Sequence, residues 1–336
     1  WLERGLFFSH KDLDKILTSR EKGEKIYLYT GRGPSGDMHL GHLLPFIFTQ
    51  YLQVALDAFV VIQLSDDEKF LFKGGNLEDY IKLGYENAKD IIACGFDPQK
   101  TYIFSNANSM DTELYHNVVK ADRFLTGNNI KSILGLDSTR NIGELAWMSK
   151  QVAPAYCNSF NSLLSPSKPI ETRPDGTTIY PPFNMMCLVP MAIDQSPYFR
   201  VARDIAARYG YQKPAEIHCE FLPSLDGIKG KMSTTSGTCE PIYLKDTATQ
   251  IAKKITDSFS GGKDTKELHQ KYGGNLHTDV AYQYLLYFEP DNTTLKDIAE
   301  KYRSGLMLTS QLKRHLISLI TAVSYTHLRA HETLRY

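Results

Sequence analysis

Apolar positions along this chain fall into two patterns, short dense stretches and longer stretches with a helical spacing. The short stretches are rich in apolar, β-branched and aromatic residues and predict strands at 25–30, 59–64, 101–106, 185–194 and 215–221, of which the unbroken run at 59–64 is typical of a strand buried on both faces. Between the first three short stretches, apolar residues recur every three or four positions at 43–56 and 77–95, which predicts helices. Strands that alternate with helices at these lengths indicate a right-handed, parallel α/β sheet of the Rossmann-like type.

After about Pro241 the apolar spacing is helical only, and the predicted helices cover 246–259, 279–288, 294–302 and 309–323. At the other end, Ser9 with Asp12 three residues later predicts the cap of a first helix. The expected parts are a helical extension at 1–24, an α/β domain at 25–245 with a connective insertion at about 106–184, and a helical domain at 246–323. Because the chain begins at Trp1 and not at a methionine, we expect the extension to be truncated.

Two segments depart from these patterns. A Pro-rich segment at 165–182 predicts a surface loop or insertion. The tail at 324–336 loses the apolar periodicity of the helix before it. Two interpretations of the tail stay open, native sequence or read-through that is foreign to the protein, and no function is drawn from it.

Composition narrows the class of protein. Charged residues make up 23% of the 336 residues and cancel to a net charge of +0, so any nucleic acid must be held by local patches. No apolar run is long enough to span a bilayer, and we expect neither a membrane nor a DNA partner. The five cysteines form no C-x-x-C pair, which argues against a disulfide framework or a zinc knuckle and predicts reduced thiols in the cytoplasm.

The stretch "GRGPSGDMHLGHLLPF" at 31–46 joins the first predicted strand to the first sheet helix. In such sheets ligands bind beyond the carboxyl ends of the strands, where a helix N-terminus favours anions. His39 and His42 can donate to a triphosphate there, and Gly41 leaves room for a base or ribose. The pattern is neither a P-loop nor a dinucleotide fingerprint, and capping or surface histidines are the plainer interpretation.

A second loop strengthens the phosphate interpretation. "KGKMSTTSG" at 229–237 follows the last predicted strand and is basic and rich in hydroxyls. Lys231 can close over a phosphate and stabilise the charge that develops during transfer, and the hydroxyls of Ser233, Thr234 and Thr235 follow it in the sequence. Alone, such a loop is more typical of a solvated surface loop. Together with the histidine pair on the same sheet it predicts a phosphate-transfer site.

These two motifs resemble the H-x-G-H signature and the K-M-S-x-S loop of class I aminoacyl-tRNA synthetases. The segments "YLYTGRGPS", "VIQLSDDEKFLFK", "AIDQSPYFRVARD" and "FSGGKDTKELHQKYGGN" are more closely similar to the tryptophanyl family of the eukaryotic and archaeal type, and the likeness runs from about 25 to 310. The resemblance implies a catalytic α/β domain, a helical anticodon-binding domain, and a two-step ligase reaction. Tryptophan reacts with ATP to give tryptophanyl-adenylate and pyrophosphate, and the tryptophanyl group then passes to tRNA-Trp.

The resemblance also implies the roles of individual residues. Those expected to bind ATP are Arg32, Gly33, His39, Gly41, His42, Asp194, Gln195, Lys231, Met232 and Ser233. Those expected to be catalytic are His39, His42, Lys231 and Ser233. Those expected to bind tryptophan are Tyr29, Gln63, Glu68, Lys69, Gln151 and Gln195. No metal-ligating residue is expected, and Mg²⁺ is expected to act on the ATP phosphates.

The indole part of the pocket also has a physical basis. The indole N–H is only a donor, so its pocket needs a buried acceptor. Tyr29 and Gln63, which end the first two sheet strands, can each supply an oxygen at the carboxyl edge. A tyrosine pocket would place a carboxylate near the phenol, and the neighbouring Asp66 and Asp67 leave a tyrosyl enzyme open as a second hypothesis.

Three further hypotheses stay open from the residues. They are a small nucleotidyltransferase, a non-catalytic RNA-binding or signalling protein on a synthetase scaffold, and a fragment that activates tryptophan but charges tRNA poorly. Four basic residues of the predicted helical domain are candidates for tRNA phosphates, namely Lys253, Lys254, Lys313 and Arg314. By resemblance we expect a homodimer.

Overall fold

The computed structural model describes residues 1–137, 139–174, 178–232 and 239–333, with the backbone alone at 229–231 and 331–333. The strands are β1 (Phe7–Lys11), β2 (Ile26–Arg32), β3 (Phe59–Leu64), β4 (Thr101–Ser105), β5 (Glu171–Thr172), β6 (Thr178–Ile179), β7 (Met186–Ala192), β8 (Ala215–Cys219), β9 (Pro223–Ser224) and β10 (Gly227–Lys231). All five strands predicted from the short apolar stretches are present, as β2, β3, β4, β7 and β8.

The main sheet has six strands in the order β1-β8-β7-β2-β3-β4. The pairs β2–β3, β3–β4, β2–β7 and β7–β8 are all parallel, as predicted. The chain builds outward from β2 through β3 to β4, and then returns to the other side of β2 with β7 and β8. The strand order therefore reverses between β2 and β7, which is where ligands bind in sheets of this kind.

Helices flank the strands, with loops, turns and short 3-10 segments between them. The helices up to β8 are α1 (Leu13–Glu21), α2 (Leu40–Leu56), α3 (Asp66–Lys73), α4 (Leu77–Ile92), α5 (Asn106–Ser109), α6 (Thr112–Asp122), α7 (Gly127–Leu134), α8 (Ile142–Val152), α9 (Asn161–Leu164) and α10 (Ser196–Tyr209). Those after β10 are α11 (Ala248–Asp257), α12 (Lys266–Tyr272), α13 (Val280–Phe288), α14 (Asn292–Arg303) and α15 (Thr309–Thr333).

The chain divides into two compact units. The first, here called the sheet unit, comprises Ser9–Gly36 and Pro45–Cys219. The second, here called the helical unit, comprises Trp1–Phe8, Asp37–Leu44 and Glu220–Tyr336. A functional division at residues 24, 245 and 323 stays a prediction.

Two local predictions need correction. Ser9 does not cap a helix but lies in β1, and α1 begins at Leu13 after Asp12, whose φ is +55°. Helix α2 begins at Leu40 and not at 43, so Pro45 lies in its second turn, where the Thr49 hydroxyl donates to the Pro45 carbonyl at 2.7 Å. The sequence did not predict β1, because its five residues "FFSHK" are too few to distinguish a strand from the start of a helix.

The two irregular segments also have structure. The Pro-rich segment carries the short antiparallel pair β5–β6, around which the described residues form loops. Helix α15 continues past the predicted end at residue 323 as far as Thr333. Within that extension the Ser324 hydroxyl donates to the Leu244 carbonyl at 2.8 Å, so the start of the tail packs on the helical unit.

The core of the sheet unit is rich in aromatic residues. Tyr27 and Tyr29 on β2 are at most 1% exposed and belong to one buried cluster with Phe104, Tyr156 and Phe199. Each buried phenol needs a hydrogen-bond partner. Tyr27 donates to the Pro154 carbonyl at 3.1 Å, whereas Tyr29 contacts polar groups at the carboxyl edge of the sheet.

Candidate active site

The predicted indole-binding residues meet on the neighbouring strands β2 and β3, where Tyr29 lies in the middle of β2 and not at its end, and Gln63 is the next-to-last residue of β3. The Tyr29 hydroxyl lies 2.5 Å from Gln63 Oε1 and 2.9 Å from the Gln151 carbonyl oxygen, and both are acceptors. Burial raises the pKa of Tyr29 well above its ordinary value near 10, so the phenol is neutral. Because its single proton is committed to these acceptors, the hydroxyl offers a lone pair to a further donor.

Gln63 completes this acceptor surface. It is 1% exposed, and its Nε2 donates to Asn106 Oδ1 at 2.8 Å and to the Lys150 carbonyl at 3.0 Å. Both of its N–H groups are thereby used, and only Oε1 has capacity left. The close approach of the strands requires Gly31, since a Cβ there would lie 2.7 Å from the Gln63 backbone oxygen.

The structure adds residues that the sequence prediction missed. Asn106, at the start of α5, donates to Asp67 Oδ1 at 2.8 Å, and Lys150 Nζ donates to Asp67 Oδ2 at 2.7 Å. Phe199 packs against the Tyr29 ring with 5.9 Å between centroids. The one available signal was that Asn106 directly follows a strand at the ligand-binding edge.

The two aspartates that favoured a tyrosine pocket are occupied elsewhere. Asp66 is fully buried, where it accepts from the Ser105 hydroxyl and from the backbone amide of Ala107. Asp67 accepts from Asn106 and Lys150. Each of these four carboxylate oxygens thus already accepts a hydrogen bond within the protein.

Glu68 and Lys69 form an ion pair at the start of α3, with 2.7 Å between Lys69 Nζ and Glu68 Oε1. The Ser65 hydroxyl donates to the other Glu68 oxygen at 3.0 Å and fixes its orientation. Gly33 makes space for the pair, because a Cβ there would lie 2.3 Å from Lys69 Cε and 2.4 Å from Glu68 Oε2. The loop after β2 thus packs directly on the pair that is predicted to bind the amino acid.

Asp194 and Gln195 lie in a single 3-10 turn between β7 and α10. Burial first, and then the carboxylates of Asp194 and Glu68, raise the pKa of Tyr198. For Gln151, the contact that ties it to the pocket is its backbone carbonyl with Tyr29.

Arg32 ends β2 and is 8% exposed. Its Nε donates to Asn87 Oδ1 at 2.5 Å and its guanidinium to the Gly36 carbonyl at 3.3 Å. Asn87 also donates to that carbonyl, at 3.1 Å. These contacts hold the glycine loop on α4, and a role of Arg32 toward ATP stays a prediction.

The histidine motif belongs to the helical unit. The His39 and His42 rings stack with 3.5 Å between centroids, and the His39 backbone N–H donates to His42 Nδ1 at 3.3 Å. A Cβ on Gly41 would lie 3.2 Å from the His39 ring and 3.5 Å from Met232 Cβ. The motif is tied to the chain before α11, because Leu40 N–H donates to the Ile242 carbonyl at 3.0 Å.

The lysine loop reaches this motif through Met232. That residue is 3% exposed, and its N–H donates to the Leu222 carbonyl at 2.9 Å. Lys231 ends β10, but its side chain and all of Ser233 lie outside the described residues. The two signatures, 190 positions apart in sequence, are thus neighbours in one unit through Met232 and Gly41.

Two of the four basic candidates for tRNA contact are used internally, contrary to expectation. Lys313 donates to the backbone carbonyls of Thr256 at 2.8 Å and Ser258 at 2.5 Å, and burial lowers its pKa. Lys254 forms an ion pair with Asp246 at 2.7 Å. The spacing on the helices could not show that these two faces are packed. The other two candidates, Lys253 and Arg314, are exposed.

Metal-binding clusters and membrane-spanning helices are both absent from the described residues. No group of three or more His, Cys, Asp or Glu side chains is placed to hold a metal ion in that part of the chain. No helix within the described ranges has the length and apolar character to cross a membrane.

The parallel sheet with its switch point, the histidine motif and the adjoining Met232 define a class I tRNA synthetase. The family model described as class I tRNA synthetases for tryptophan and tyrosine matches residues 21–145 and 177–323. The gap between these ranges contains most of the Pro-rich segment before β6, which is therefore not part of the shared family pattern.

The names of similar proteins distinguish the tryptophan enzymes of this class from the tyrosine enzymes. The chain is 46% identical to a cytoplasmic tryptophan–tRNA ligase of Dictyostelium discoideum, covering 98% of this chain and 80% of that protein. The rat enzyme of the same name is 45% identical, and the chain spans 66% of its length. A solved tryptophanyl-tRNA synthetase from Giardia lamblia has a TM-score of 0.90 at 40% identity, over 98% of this chain and 85% of that one. The chain therefore belongs to the tryptophan–tRNA ligases, which confirms the resemblance found in the sequence.

Proposed function

We propose that the protein activates L-tryptophan with ATP and transfers it to tRNA-Trp. The observation that carries the choice of amino acid is the buried oxygen pair of Tyr29 and Gln63, whose hydrogen-bond donors are already used. An indole N–H finds two acceptors there and no competing donor. A site built on buried hydrogen bonds rejects substrates that cannot make them.

The ion pair of Glu68 and Lys69 supports binding of the amino-acid end. A zwitterion carries an ammonium and a carboxylate, the same two groups that face each other across 2.7 Å in this pair. We propose that Glu68 binds the substrate ammonium with help from Gln151 and Gln195, and that Lys69 binds its carboxylate. This orients the carboxylate oxygen as the nucleophile.

In the activation step, that oxygen forms a bond to the α-phosphorus of ATP while the bond to the bridging oxygen breaks and pyrophosphate leaves. We propose that His39 and His42 donate to the phosphates and that Gly41 packs against the nucleotide. Gly33, Arg32, Asp194 and the lysine loop with Met232 are proposed to complete the ATP site. Lys231 and Ser233 stabilise the charge that develops on the phosphates.

The groups that would bind Mg²⁺ follow from the ligands that this ion prefers. Mg²⁺ takes oxygen ligands, whereas the described motif offers imidazoles. We therefore propose that Mg²⁺ arrives on the phosphate oxygens of ATP and neutralises part of their charge. The chain's own residues would hold the phosphates and not the ion.

In the transfer step, a hydroxyl of the terminal ribose of tRNA attacks the carbonyl of tryptophanyl-adenylate, and AMP leaves. We propose that residues 246–323 bind the anticodon, with Lys253 and Arg314 meeting phosphates because both are exposed. The names of the relatives further suggest a cytoplasmic setting.

A homodimer is proposed on the basis of apolar side chains left on the surface of the sheet unit. Tyr115 and Val119 lie one turn apart on α6 and are 55% and 47% exposed. Tyr85 and Ile92 lie two turns apart on α4 and are 58% and 43% exposed. Large apolar side chains grouped on exposed helix faces in this way are typical of an interface between subunits.

The test is exchange of labelled pyrophosphate into ATP, with tryptophan and tyrosine measured side by side, followed by charging of tRNA-Trp. Exchange with tryptophan alone is the expected result. Exchange with tyrosine would contradict the roles of Tyr29 and Gln63 while keeping the class. Binding of ATP without any exchange would favour the non-catalytic scaffold, and exchange without charging would favour the fragment that is defective toward tRNA.

A further inference from the structure

The hydrogen bonds of the tryptophan pocket continue behind Gln63 to a carboxylate that takes no part in the proposed reaction. Five side chains follow one another, which we call the polar chain: Tyr29, Gln63, Asn106, Asp67 and Lys150. The successive distances are 2.5, 2.8, 2.8 and 2.7 Å. Gln63 and Asn106 are 1% and 5% exposed, so water cannot readily replace these partners.

The order of groups gives the polar chain a direction. A carboxamide has a donor end and an acceptor end of nearly the same shape, and its neighbours decide which end faces which way. A carboxylate only accepts and an ammonium only donates. Asp67 therefore turns the Asn106 amide group toward itself, which leaves the Asn106 oxygen for the Gln63 amide group. The Gln63 oxygen then faces Tyr29.

The reverse orientation would be incompatible with tryptophan. Gln63 would present N–H groups where the indole N–H arrives, and a donor would face a donor. The Lys150 carbonyl, which also accepts from Gln63 at 3.0 Å, favours the same orientation as Asp67 does. Lys150 thus contributes twice, through its backbone to Gln63 and through its ammonium to Asp67.

We propose that Asp67 sets the hydrogen-bond polarity of the indole pocket, as a positioning residue that acts through Asn106 on Gln63. This inference rests on the proposed function, because it assigns a cause to the orientation that tryptophan requires. Specificity for an indole N–H then depends on Asp67, whose own oxygens accept hydrogen bonds from Asn106 and Lys150.

The decisive variant is Asp67→Asn. Asp67 Oδ1 also accepts from the Glu68 backbone N–H at 2.9 Å. Because a charged donor makes the stronger hydrogen bond, the Lys150 ammonium takes the single oxygen of the new amide at the expense of that N–H, and the N–H groups of the new amide then face Asn106. Asn106 must present its oxygen to them and its own N–H groups to Gln63. In the double variant Asp67→Asn/Asn106→Asp, a carboxylate again accepts from Gln63, and the original polarity returns.

The measurement is calorimetric binding of tryptophan and of its benzofuran analogue, which has a ring oxygen in place of the indole N–H. The wild-type protein is expected to prefer tryptophan. Asp67→Asn is expected to reduce the ratio of the two Kd values by about tenfold, and the double variant to restore it to within about threefold. Asp111→Asn is the matched control, because it makes the same charge change at the helix cap of α6, where Asn caps equally well.

Several outcomes would overturn the inference. Equal weakening of both ligands by Asp67→Asn would indicate a general structural role, and failure of the folded double variant to recover would show that Asn106 does not transmit the effect. Where the single variant does not fold, the double variant alone decides, since it must keep the wild-type ratio. A wild-type protein that prefers tryptophan over the analogue but catalyses no pyrophosphate exchange would contradict the proposed function and would leave this inference standing.

Discussion

The two groups of proposed functional residues, one in each unit, are built in opposite ways. In the helical unit, His39, Gly41 and His42 lie within four positions of the chain, and local stacking sets their geometry. In the sheet unit, the proposed tryptophan pocket takes its polar groups from β2, β3, α3, α5 and α8, several of which are far apart in sequence. The first arrangement can be recognised in the sequence as a short motif, whereas the second forms only when the sheet has folded.

The difference matches the two chemical tasks. Binding phosphate needs donors and a helix N-terminus, which a few consecutive residues can provide. Recognising an indole needs a buried surface with the right polarity, and each polar group in it needs a partner of its own. Substitutions in the two regions should therefore affect different kinetic constants.

The largest effect is expected for His42→Ala in the helical unit. Loss of one donor to the phosphates should lower the rate of tryptophan-dependent pyrophosphate exchange by about 10²–10³-fold, because the charge of the transition state loses a hydrogen bond. Calorimetric binding of tryptophan without ATP should be unchanged. His277→Ala, at an exposed histidine of the same unit, serves as the control. A parallel loss of tryptophan binding would remove the distinction between the two regions.

A smaller effect is expected for Tyr29→Phe in the sheet unit. The substitution removes one acceptor for the indole and leaves Gln63 Oε1 without its donor, so KM for tryptophan should rise about tenfold while kcat changes little. The matched control is Tyr27→Phe on the same strand, whose hydroxyl donates to the Pro154 carbonyl. That control should lower stability without changing KM. An equal rise in KM for both variants would mean that general packing, and not the hydrogen bond, determines affinity.

The same contrast explains what the sequence could predict. The strands β2, β3, β4, β7 and β8 are rich in apolar, β-branched and aromatic residues, and the parallel sheet was predicted from their alternation with helical stretches. The histidine motif was identifiable because its position between a strand and a helix is itself local information. Strand β1 was missed because "FFSHK" has only five residues and a mixed pattern, and it joins the sheet beside β8, which is distant in sequence.

Tyr29 and Gln63 of the proposed pocket were predictable because the sequence places each near the carboxyl end of its predicted strand, although β2 continues past Tyr29 to Arg32. Asn106 and Lys150 were not, since the amide of one and the ammonium of the other act on groups from different elements. The internal use of Lys254 and Lys313 was equally hidden, because a helical spacing does not reveal which face is covered. Pairings between distant segments are what a single sequence lacks.

The smallest expected effect concerns pH. Burial raises the pKa of Tyr29 well above 10, so the folded protein keeps this phenol neutral while the unfolded chain ionises it near 10. The unfolded state binds fewer protons there, and stability must fall as the pH rises above 10. Urea denaturation at about pH 9 and about pH 10.5 should show the loss reduced by about 1 kcal/mol in Tyr29→Phe. Parallel pH dependence in the two proteins would contradict this.

The polar chain behind Gln63 also bears on how such a pocket evolves. Each of its amide groups is oriented by the next residue, so the fitness effect of a substitution at one position depends on the identity of its neighbour. Changing Asp67 alone is expected to be harmful, whereas the same change beside an acidic residue 106 is expected to be tolerated. This is sign epistasis with a physical origin, and it predicts that lineages exchange the positions of amide and carboxylate together and not one at a time.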